Sequence, residues 1–437
     1  MTFYSNDSRA IKVYDLLHNF FEVVEWGDEK SDLIFEDGLF LFEAKSIKLS
    51  TTDHYMLEIY EALNEHFSPI SPWGILSGVR PLKLVHQEKE QGISEKAILQ
   101  GLVQREKITE TKAELLLEIA NNQEPIYRDQ RDHLSLYLSI PFCPTICSYC
   151  CFHTRLYEKK LAREYLINLL EDLAEVKKRV KEQGRLIDCI YIGGGTPWIL
   201  ETEEIKKLFL SLQDFKGVKE FTFEGGRMDV LSPEKANLVS SYASRVCLNP
   251  QSLTQGITPL LGRPEAKGLE YWISYFKKEG LITSSDLIAG LPGESLEDFL
   301  LSLKELIKLN PDNITIHNLS LKRGAQLKEL KKSAPVAAML QEGYGLLKKT
   351  GYNPYYIYRQ KNMVDRGENV GYEKAGTLGL YNIRMMEDVH EILSIGSNAA
   401  SKKIRQGKAI RIATPKDIHL YMKDKERRKR LIEEMFV

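Results

Sequence analysis

From residue 134 onward, short apolar runs alternate with amphipathic stretches six times in succession. The runs are "LSLYLSI", "DCIYIGG", "EFTFEGG", "RVCLNPQ", "ITSSDLIAG" and "NITIHNLS". Each is mostly apolar and bounded by breakers, as a strand buried on both faces must be. Between them, residues 158–183 carry Leu161, Tyr165, Leu169, Leu173 and Val180 on one helical face, with Gly184 as a stop. A second helix is predicted from about Thr202 to Gly217, and Ser232 with Pro233 suits the N-cap and first turn of a third. A fourth ends near Gly280, and a fifth is opened by Ser295 with Asp298 three residues on, a capping box. Alternation of this kind argues for a parallel sheet, and its regularity predicts a curved or barrel arrangement, an α/β fold.

Polar residues punctuate the strands at one end. Gly193, Gly194, Gly195 and Thr196, then Glu224, Gln251, Asp286 and Ser320, fall at or near the carboxyl ends of successive runs. In parallel barrels that end is where chemistry is done.

Residues 1–130 have a different texture. "DLIFEDGLFLFEAKSIKL" predicts a strand, a turn and a second strand, flanked by helical stretches such as "DHYMLEIYEALNEHF" and "KAELLLEIANNQ". We expect a separate α+β domain over 1–130, joined near "NNQEPIYRDQRDH" to a barrel over 131–325. An α-rich C-terminal domain over 326–437 is expected to cover the barrel mouth. A chain of 437 residues buries enough core to need no disulfides. With 60 basic and 61 acidic residues its net charge is −1, which excludes a global basic field for nucleic acid or anionic membrane. No apolar run is long enough to span a bilayer, and "MTFYSNDSRAIK" lacks the layout of a signal peptide. A cytoplasmic location follows as the expectation.

Four of the six cysteines lie in "CPTICSYCC", residues 143–151, directly after the first strand. In a reducing compartment such a cluster means metal or redox chemistry more often than disulfides. Cys143, Cys147 and Cys150 have the spacing C-x3-C-x2-C. One alternative is structural zinc, with His153 or Cys151 as a fourth ligand; another is a set of buried thiols. The third is an iron–sulfur cluster on three thiolates that leaves one iron open to an outside ligand. Cys189 and Cys247 lie inside separate strands, and Cys151 is too close to Cys150 for both to reach one metal. Both facts favour the third alternative. Tyr149 offers a flat face on which an aromatic base can stack.

The loop resembles the signature of radical S-adenosylmethionine (SAM) enzymes, C-x3-C-x-aromatic-C, and "GGGTP" at 193–197 looks like that superfamily's glycine motif. The resemblance implies a partial (β/α)6 barrel, a [4Fe-4S] cluster on Cys143, Cys147 and Cys150, and SAM chelated to the fourth iron. "LYLSIPFCP", "YIGGGTP", "FTFEGGR", "NPQSL", "LLGRPEA" and "SDLIAGLPGE" are similar to the oxygen-independent coproporphyrinogen III oxidase family. "LSGVRPLKL", "DNITIHNLSLKRGA", "GYNPYYIYRQKNM" and "ENVGYEKAG" resemble its HemZ-type coproporphyrinogen dehydrogenase branch. By position, the resemblance puts Tyr137 beside the cofactor and Tyr149 beside its adenine. The Gly194–Gly195–Thr196 turn and Glu224 would receive the methionine amino end, and Arg263 the methionine carboxylate. Gln251 and Asp286 would take ribose hydroxyls, and Ser320 would line the far end.

The implied reaction is radical abstraction of hydrogen from the propionate arms of coproporphyrinogen III, with loss of carbon dioxide to give protoporphyrinogen IX. It needs a low-potential electron donor such as flavodoxin or ferredoxin and no general base, so no catalytic side chain is assigned. A tetracarboxylate needs cations, and Arg227, Lys322, Arg323, Arg359 and Lys361 are candidates. Two positions differ from the decarboxylating enzymes: Ser139 stands where they have histidine, and Phe152 where they have a further cysteine. The alternatives are a haem-binding chaperone on the same scaffold and a radical enzyme for another tetrapyrrole or anaerobic metabolite. His153, His317 and His390 are the histidines near candidate loops, and each is expected to be structural.

Overall fold

The computed structural model describes residues 1–437 except 22, 37, 43–44, 51–53, 70, 77, 79, 128–131, 151, 153, 321–334 and 361–362. The chain divides into two units, Met1–Asn121 with Tyr358–Glu368, and Asn122–Ile357 with Asn369–Val437.

In the first unit the apolar pattern "DLIFEDGLFLFEAKSIKL" becomes three strands rather than two. They are β3 (Leu33–Glu36), β4 (Leu39–Phe42) and β5 (Lys45–Lys48), preceded by β1 (Thr2–Ser5), α1 (Ala10–Leu17) and β2 (Glu25–Trp26). The sheet order is β2-β1-β3-β4-β5, with β1 parallel to β2 and β3, and an antiparallel meander thereafter. In β3 the alternation is strict: Leu33 and Phe35 face the core while Ile34 and Glu36 are less buried. α1 and α2 (Tyr55–Asn64) supply Leu16, Leu17, Ile59 and Leu63 to that core. Three more helices follow, α3 (Leu82–Glu90), α4 (Glu95–Gln104) and α5 (Glu110–Tyr127), so the stretch read as a joint is helical as far as Tyr127.

Arg359 is a candidate for substrate contact by sequence. The structure places it in this first unit instead, where its guanidinium lies 4.9 Å over the Trp73 ring and donates to the Leu76 carbonyl at 2.6 Å. The Trp73 indole donates to Glu368 Oε2 at 3.1 Å, and Lys112 pairs with the same carboxylate. Arg359 is therefore a packing residue. Lys361, like Lys322 and Arg323, lies outside the described residues.

The second unit begins with β6 (Leu134–Ile140), β7 (Phe142–Cys143), β8 (Arg155–Leu156), α6 (Lys159–Glu182), β9 (Ile187–Gly194) and α7 (Thr202–Leu212). It continues through β10 (Glu220–Gly226), α8 (Pro233–Ser240), β11 (Arg245–Leu248), α9 (Ile257–Leu260), α10 (Leu269–Lys278), β12 (Ile282–Ala289), α11 (Leu296–Leu309) and β13 (Asn313–Asn318). The C-terminal part adds α12 (Val336–Lys349), β14 (Asn353–Tyr358), β15 (Asn369–Glu373), α13 (Leu380–Met386), β16 (Glu391–Ile395), β17 (Ala400–Arg405), β18 (Lys408–Ala413), α14 (Ile418–Lys423) and α15 (Lys425–Glu433). The extension expected to be rich in helix thus also contributes five strands.

The six runs of the repeat pair in parallel in chain order, β6-β9-β10-β11-β12-β13. An unforeseen seventh parallel strand, β16, lies on the outer edge of β6, and β15 closes the other side antiparallel to β13. The helix signals act as physics requires. The Ser232 side chain caps α8 through Lys235 N, and Ser295 with Asp298 forms both bonds of a capping box on α11.

The amino ends of the strands are tied by buried charge. Glu220, Arg245 and Asn313 are the first residues of β10, β11 and β13, and they meet one another: Arg245 Nε bonds Glu220 Oε2 at 3.3 Å, and Nη1 bonds Asn313 Oδ1. Glu220 also accepts from the backbone of Leu380 (2.9 Å) and Tyr381 (3.0 Å), fixing the start of α13 beneath the barrel. Beside it the Arg384 guanidinium grips Asp188 and holds that carboxyl below its ordinary range, against the opposing effect of burial. Among the described residues no helix is long and apolar enough to cross a membrane.

Glu220→Ala strands the Arg245 charge and the α13 amino terminus together. We expect it to lower unfolding free energy by about 3–5 kcal/mol in urea melts, with part of the loss recovered when Arg245→Met is added.

Candidate functional site

The site grows out of the register between β6 and β9. Ser139 pairs with Gly193 and Ile140 with Gly194. The pairing then continues past both strands, with Gly195 N donating to Ile140 O at 2.8 Å and Thr196 N to Phe142 O at 2.7 Å. The glycine turn is thereby stitched to the start of the cysteine loop. A Cβ on Gly195 would lie 2.5 Å from Phe142 O and 2.9 Å from Cys143 Sγ, so only glycine allows the approach. The Thr196 hydroxyl donates to Cys143 Sγ at 3.5 Å. Burial pushes the Cys143 thiol up while the Thr196 and Thr154 hydroxyls pull it back.

The rest of the loop is held from several sides. β7 pairs with β8, Tyr157 N reaches Cys143 O at 2.9 Å, and Cys150 N turns back to Cys147 O at 3.0 Å. Ser148 N donates to Leu261 O at 3.0 Å and the Thr145 hydroxyl to Gly262 O at 2.7 Å, docking the loop on the segment after α9. Arg227 completes the clamp. It is a candidate for substrate contact by sequence, but it is 3% exposed, bidentate to Asp229 at 3.0 and 2.8 Å, and bonded to Thr145 at 2.7 Å. Its charge is spent on the loop. Cys147 is buried, Cys143 and Cys150 are partly exposed, and Cys189 and Cys247 sit in β9 and β11. Cys151 and His153 lie outside the described residues. Among those described, no three His, Cys, Asp or Glu side chains gather at single-ion spacing.

A second group lines the barrel interior beside the glycine turn. A Cβ on Gly193 would lie 2.3 Å from Glu224 Oε2. Burial, then the charge of Asp286, pushes Glu224 up to about 7, against the Tyr191 hydroxyl and His317. His317 Nε2 sits 3.4 Å from Asp286 Oδ2. Burial alone would lower His317, but its hydrogen bond to Asp286, with the charges of Asp286 and Glu224, raises it. Burial and then Glu224 push the Tyr137 phenol up. Tyr137, Glu224, Gln251, Asp286 and His317 each keep part of their surface accessible, as the walls of an interior cavity do.

Gln251 adopts the left-handed conformation at φ 70°, sparse for a residue with a side chain. Its N–H donates to Asp286 O at 2.9 Å, and among the described residues its buried Oε1 has no partner. Arg263 donates to Asn249 O and influences Tyr149, whose phenol is raised by burial while Arg263 pulls it down. Ser320 lies buried two residues beyond β13.

The structure therefore brings Cys143, Cys147, Cys150, Tyr149, Gly194, Gly195, Thr196 and Arg263 around one loop, and joins Tyr137, Glu224, Gln251 and Asp286 to it through Gly193. Sequence reasoning missed Tyr191 and Tyr381. Their rings stack 4.2 Å apart, with Tyr137 at 6.1 and 6.0 Å. Tyr191 had a signal, because it shares a strand face with Gly193. His317, expected to be merely structural, faces the two carboxylates.

The donor set fits an iron–sulfur cluster with a zwitterionic nucleoside ligand. There are three thiols on one loop, a cradle that excludes any Cβ, an unpartnered buried amide oxygen, two interior carboxylates and an arginine beside the loop.

The family model of the Radical SAM superfamily matches residues 137–306. The oxygen-independent coproporphyrinogen-III oxidase-like protein HemZ of Bacillus subtilis (strain 168) is 35% identical over 400 residues, 86% of this chain and 78% of that protein. Heme chaperone HemW of Buchnera aphidicola subsp. Schizaphis graminum is 28% identical, covering 67% of this chain and 76% of its own. Among solved structures, coproporphyrinogen III oxidase (HemN) from Escherichia coli superposes with TM-score 0.56 at 20% identity, over 70% of this chain and 72% of that one. That likeness is one of fold.

The raised Glu224 has a stability consequence. Between its ordinary 4.5 and about 7 the folded chain holds a proton that the unfolded chain has released, so folding weakens as pH rises through that window. Glu224→Gln removes the penalty. Urea melts of the metal-free chain should show the variant gaining about 1–3 kcal/mol over wild type at pH ~8 relative to pH ~5. A pH-independent difference would refute the assignment.

Proposed function

The chain belongs to the radical SAM superfamily, in the family of HemZ-type oxygen-independent coproporphyrinogen III oxidase-like proteins, and from that membership we propose a specific reaction. It is the oxidative decarboxylation of coproporphyrinogen III to protoporphyrinogen IX in haem biosynthesis. The observation that carries the proposal is 35% identity to HemZ, sustained over 86% of the chain.

In this reading Cys143, Cys147 and Cys150 hold a [4Fe-4S] cluster and leave one iron for SAM. When bound, the pair would supply one-electron reductive cleavage and hydrogen abstraction from the substrate. The residues of the chain do the positioning. Gly194, Gly195 and Thr196 would offer backbone groups to the methionine end, and Glu224 would accept its amino protons. Arg263, close to the loop, would pair with the methionine carboxylate in a forked contact. The unpartnered Gln251 Oε1 and Asp286 would accept ribose hydroxyls, with His317 steadying Asp286 from the adjacent strand. Tyr137 and Tyr149 would flank the nucleoside, and Ser320 the far wall. The buried, stacked Tyr191 and Tyr381 pack beside Tyr137. A low-potential one-electron donor of the flavodoxin or ferredoxin type is implied, and thiolates kept reduced agree with a cytoplasmic setting.

A second reading, haem handling in the manner of a chaperone, is favoured by the HemW relatives and by Ser139 in the oxidases' histidine position. One experiment separates the two. The anaerobically reconstituted protein, reduced with SAM and coproporphyrinogen III, should yield deoxyadenosine and protoporphyrinogen by mass spectrometry. Cys143→Ala should abolish both products, and Arg263→Ala should weaken SAM binding by about tenfold or more. Deoxyadenosine without porphyrin turnover would assign another substrate, and tight haem binding without turnover the chaperone.

A further inference from the structure

A cleft of about 420 Å³ opens beside the cysteine loop, lined by Pro141, Thr154, Arg155, Ser397, Lys416, Asp417 and Ile418. No role described above uses it. Pro141 directly follows β6 and Ser397 follows β16, so the cleft lies outside the carboxyl ends of two neighbouring parallel strands, where α/β sheets receive ligands. Its wall is shared with the candidate cluster loop: Arg155 pairs with Phe142 in the β7–β8 ladder, and the Thr154 hydroxyl bonds to Cys143.

The chemistry of the lining is lopsided. Arg155 and Lys416 are exposed, and among the described residues neither is in an ion pair. Asp417 lies near enough to feel the Arg155 charge, but its Oδ1 is occupied by His419 N and Leu420 N at 2.9 Å each. Ser397 also lines the cleft; it is fully buried, and among the described residues its Oγ has no partner. Such a hydroxyl is costly unless a ligand satisfies it.

The turn that presents Ser397 is tied down on several sides. It lies between Gly396 at φ 99° and Asn398 at φ 54°, a left-handed turn that glycine and asparagine both accommodate. Ser397 N donates to the Tyr165 hydroxyl at 2.9 Å, Asn398 N to Pro415 O at 2.8 Å, and the Thr414 hydroxyl to Gly396 O at 2.6 Å.

We propose that this cleft is a carboxylate-binding subsite, in which Arg155 and Lys416 supply the charge and the Ser397 hydroxyl a buried, oriented hydrogen bond. Its volume of about 420 Å³ accommodates an acid arm with a five-membered ring. Two sources share that chemistry: a propionate arm of the tetracarboxylate substrate, which rests on the function proposed above, or a separate small carboxylic acid, which does not.

The test uses the anaerobically reconstituted full chain, titrated at low salt with coproporphyrin III and, separately, with a monopyrrole propionic acid. SAM affinity is measured in the same samples. Arg155→Ala/Lys416→Ala and Ser397→Ala are compared with wild type, thermal midpoints reporting on folding. The double variant should lose about tenfold or more in affinity, and Ser397→Ala about threefold to tenfold. Loss for both probes identifies the substrate arm; loss for the monopyrrole acid alone identifies a separate carboxylate. Wild-type affinity for both probes in both variants, or no binding of either probe by wild type, overturns the subsite. Failure to bind SAM would instead count against the proposed function.

Discussion

The site depends on a ladder of backbone hydrogen bonds that does not stop where its strands stop. Parallel pairing of β6 with β9 sets Ser139 against Gly193, and two further bonds carry that register into the glycine turn and the cysteine loop. A slip of one residue would turn every side chain of a strand to its other face, so register decides which residues meet. The thiols thus inherit their position from two largely buried strands.

The same alternation sorts the barrel interior into layers. Along β10 the inward residues are Glu220, Thr222 and Glu224; along β11, Arg245 and Cys247; along β12, Ser284 and Asp286; along β13, Asn313, Thr315 and His317. The lowest layer is saturated, with Arg245 bonded to Glu220, Ser284 and Asn313. The uppermost is not. Two carboxylates face one imidazole, and Glu224 responds by holding its proton toward neutral pH. Charge fully matched at the amino end stabilises; charge under-matched at the carboxyl end is poised for a cationic ligand group such as an ammonium.

Much of this was legible because it is local. The Ser295 and Asp298 capping box and the Ser232–Pro233 helix start need only a few residues of context, and the thiol spacing and the strand-end polar residues need little more. What escaped depends on partners distant in the chain. Tyr381 reaches the barrel only because Glu220 captures the start of α13. The seventh parallel strand β16 is a five-residue run with nothing to distinguish it from any short apolar stretch. Arg227 and Arg359 look like any other basic residues, and only contacts to Asp229 and Trp73 show their charges to be structurally committed.

The replacement of histidine by Ser139 can be understood in the same terms. Ser139 is 4% exposed and closed in from two sides. A Cβ on Gly194 would come within 3.0 Å of its Oγ, and one on Gly396 within 2.9 Å of its Cβ. Its carbonyl meanwhile accepts from Tyr165, the residue whose hydroxyl also holds Ser397 N. An imidazole at this position would have to displace the turn after β16. The small residue at 139 and the tight Gly396–Ser397–Asn398 turn are therefore one packing solution. By keeping that turn against β6, the chain forms the wall of the adjoining cleft.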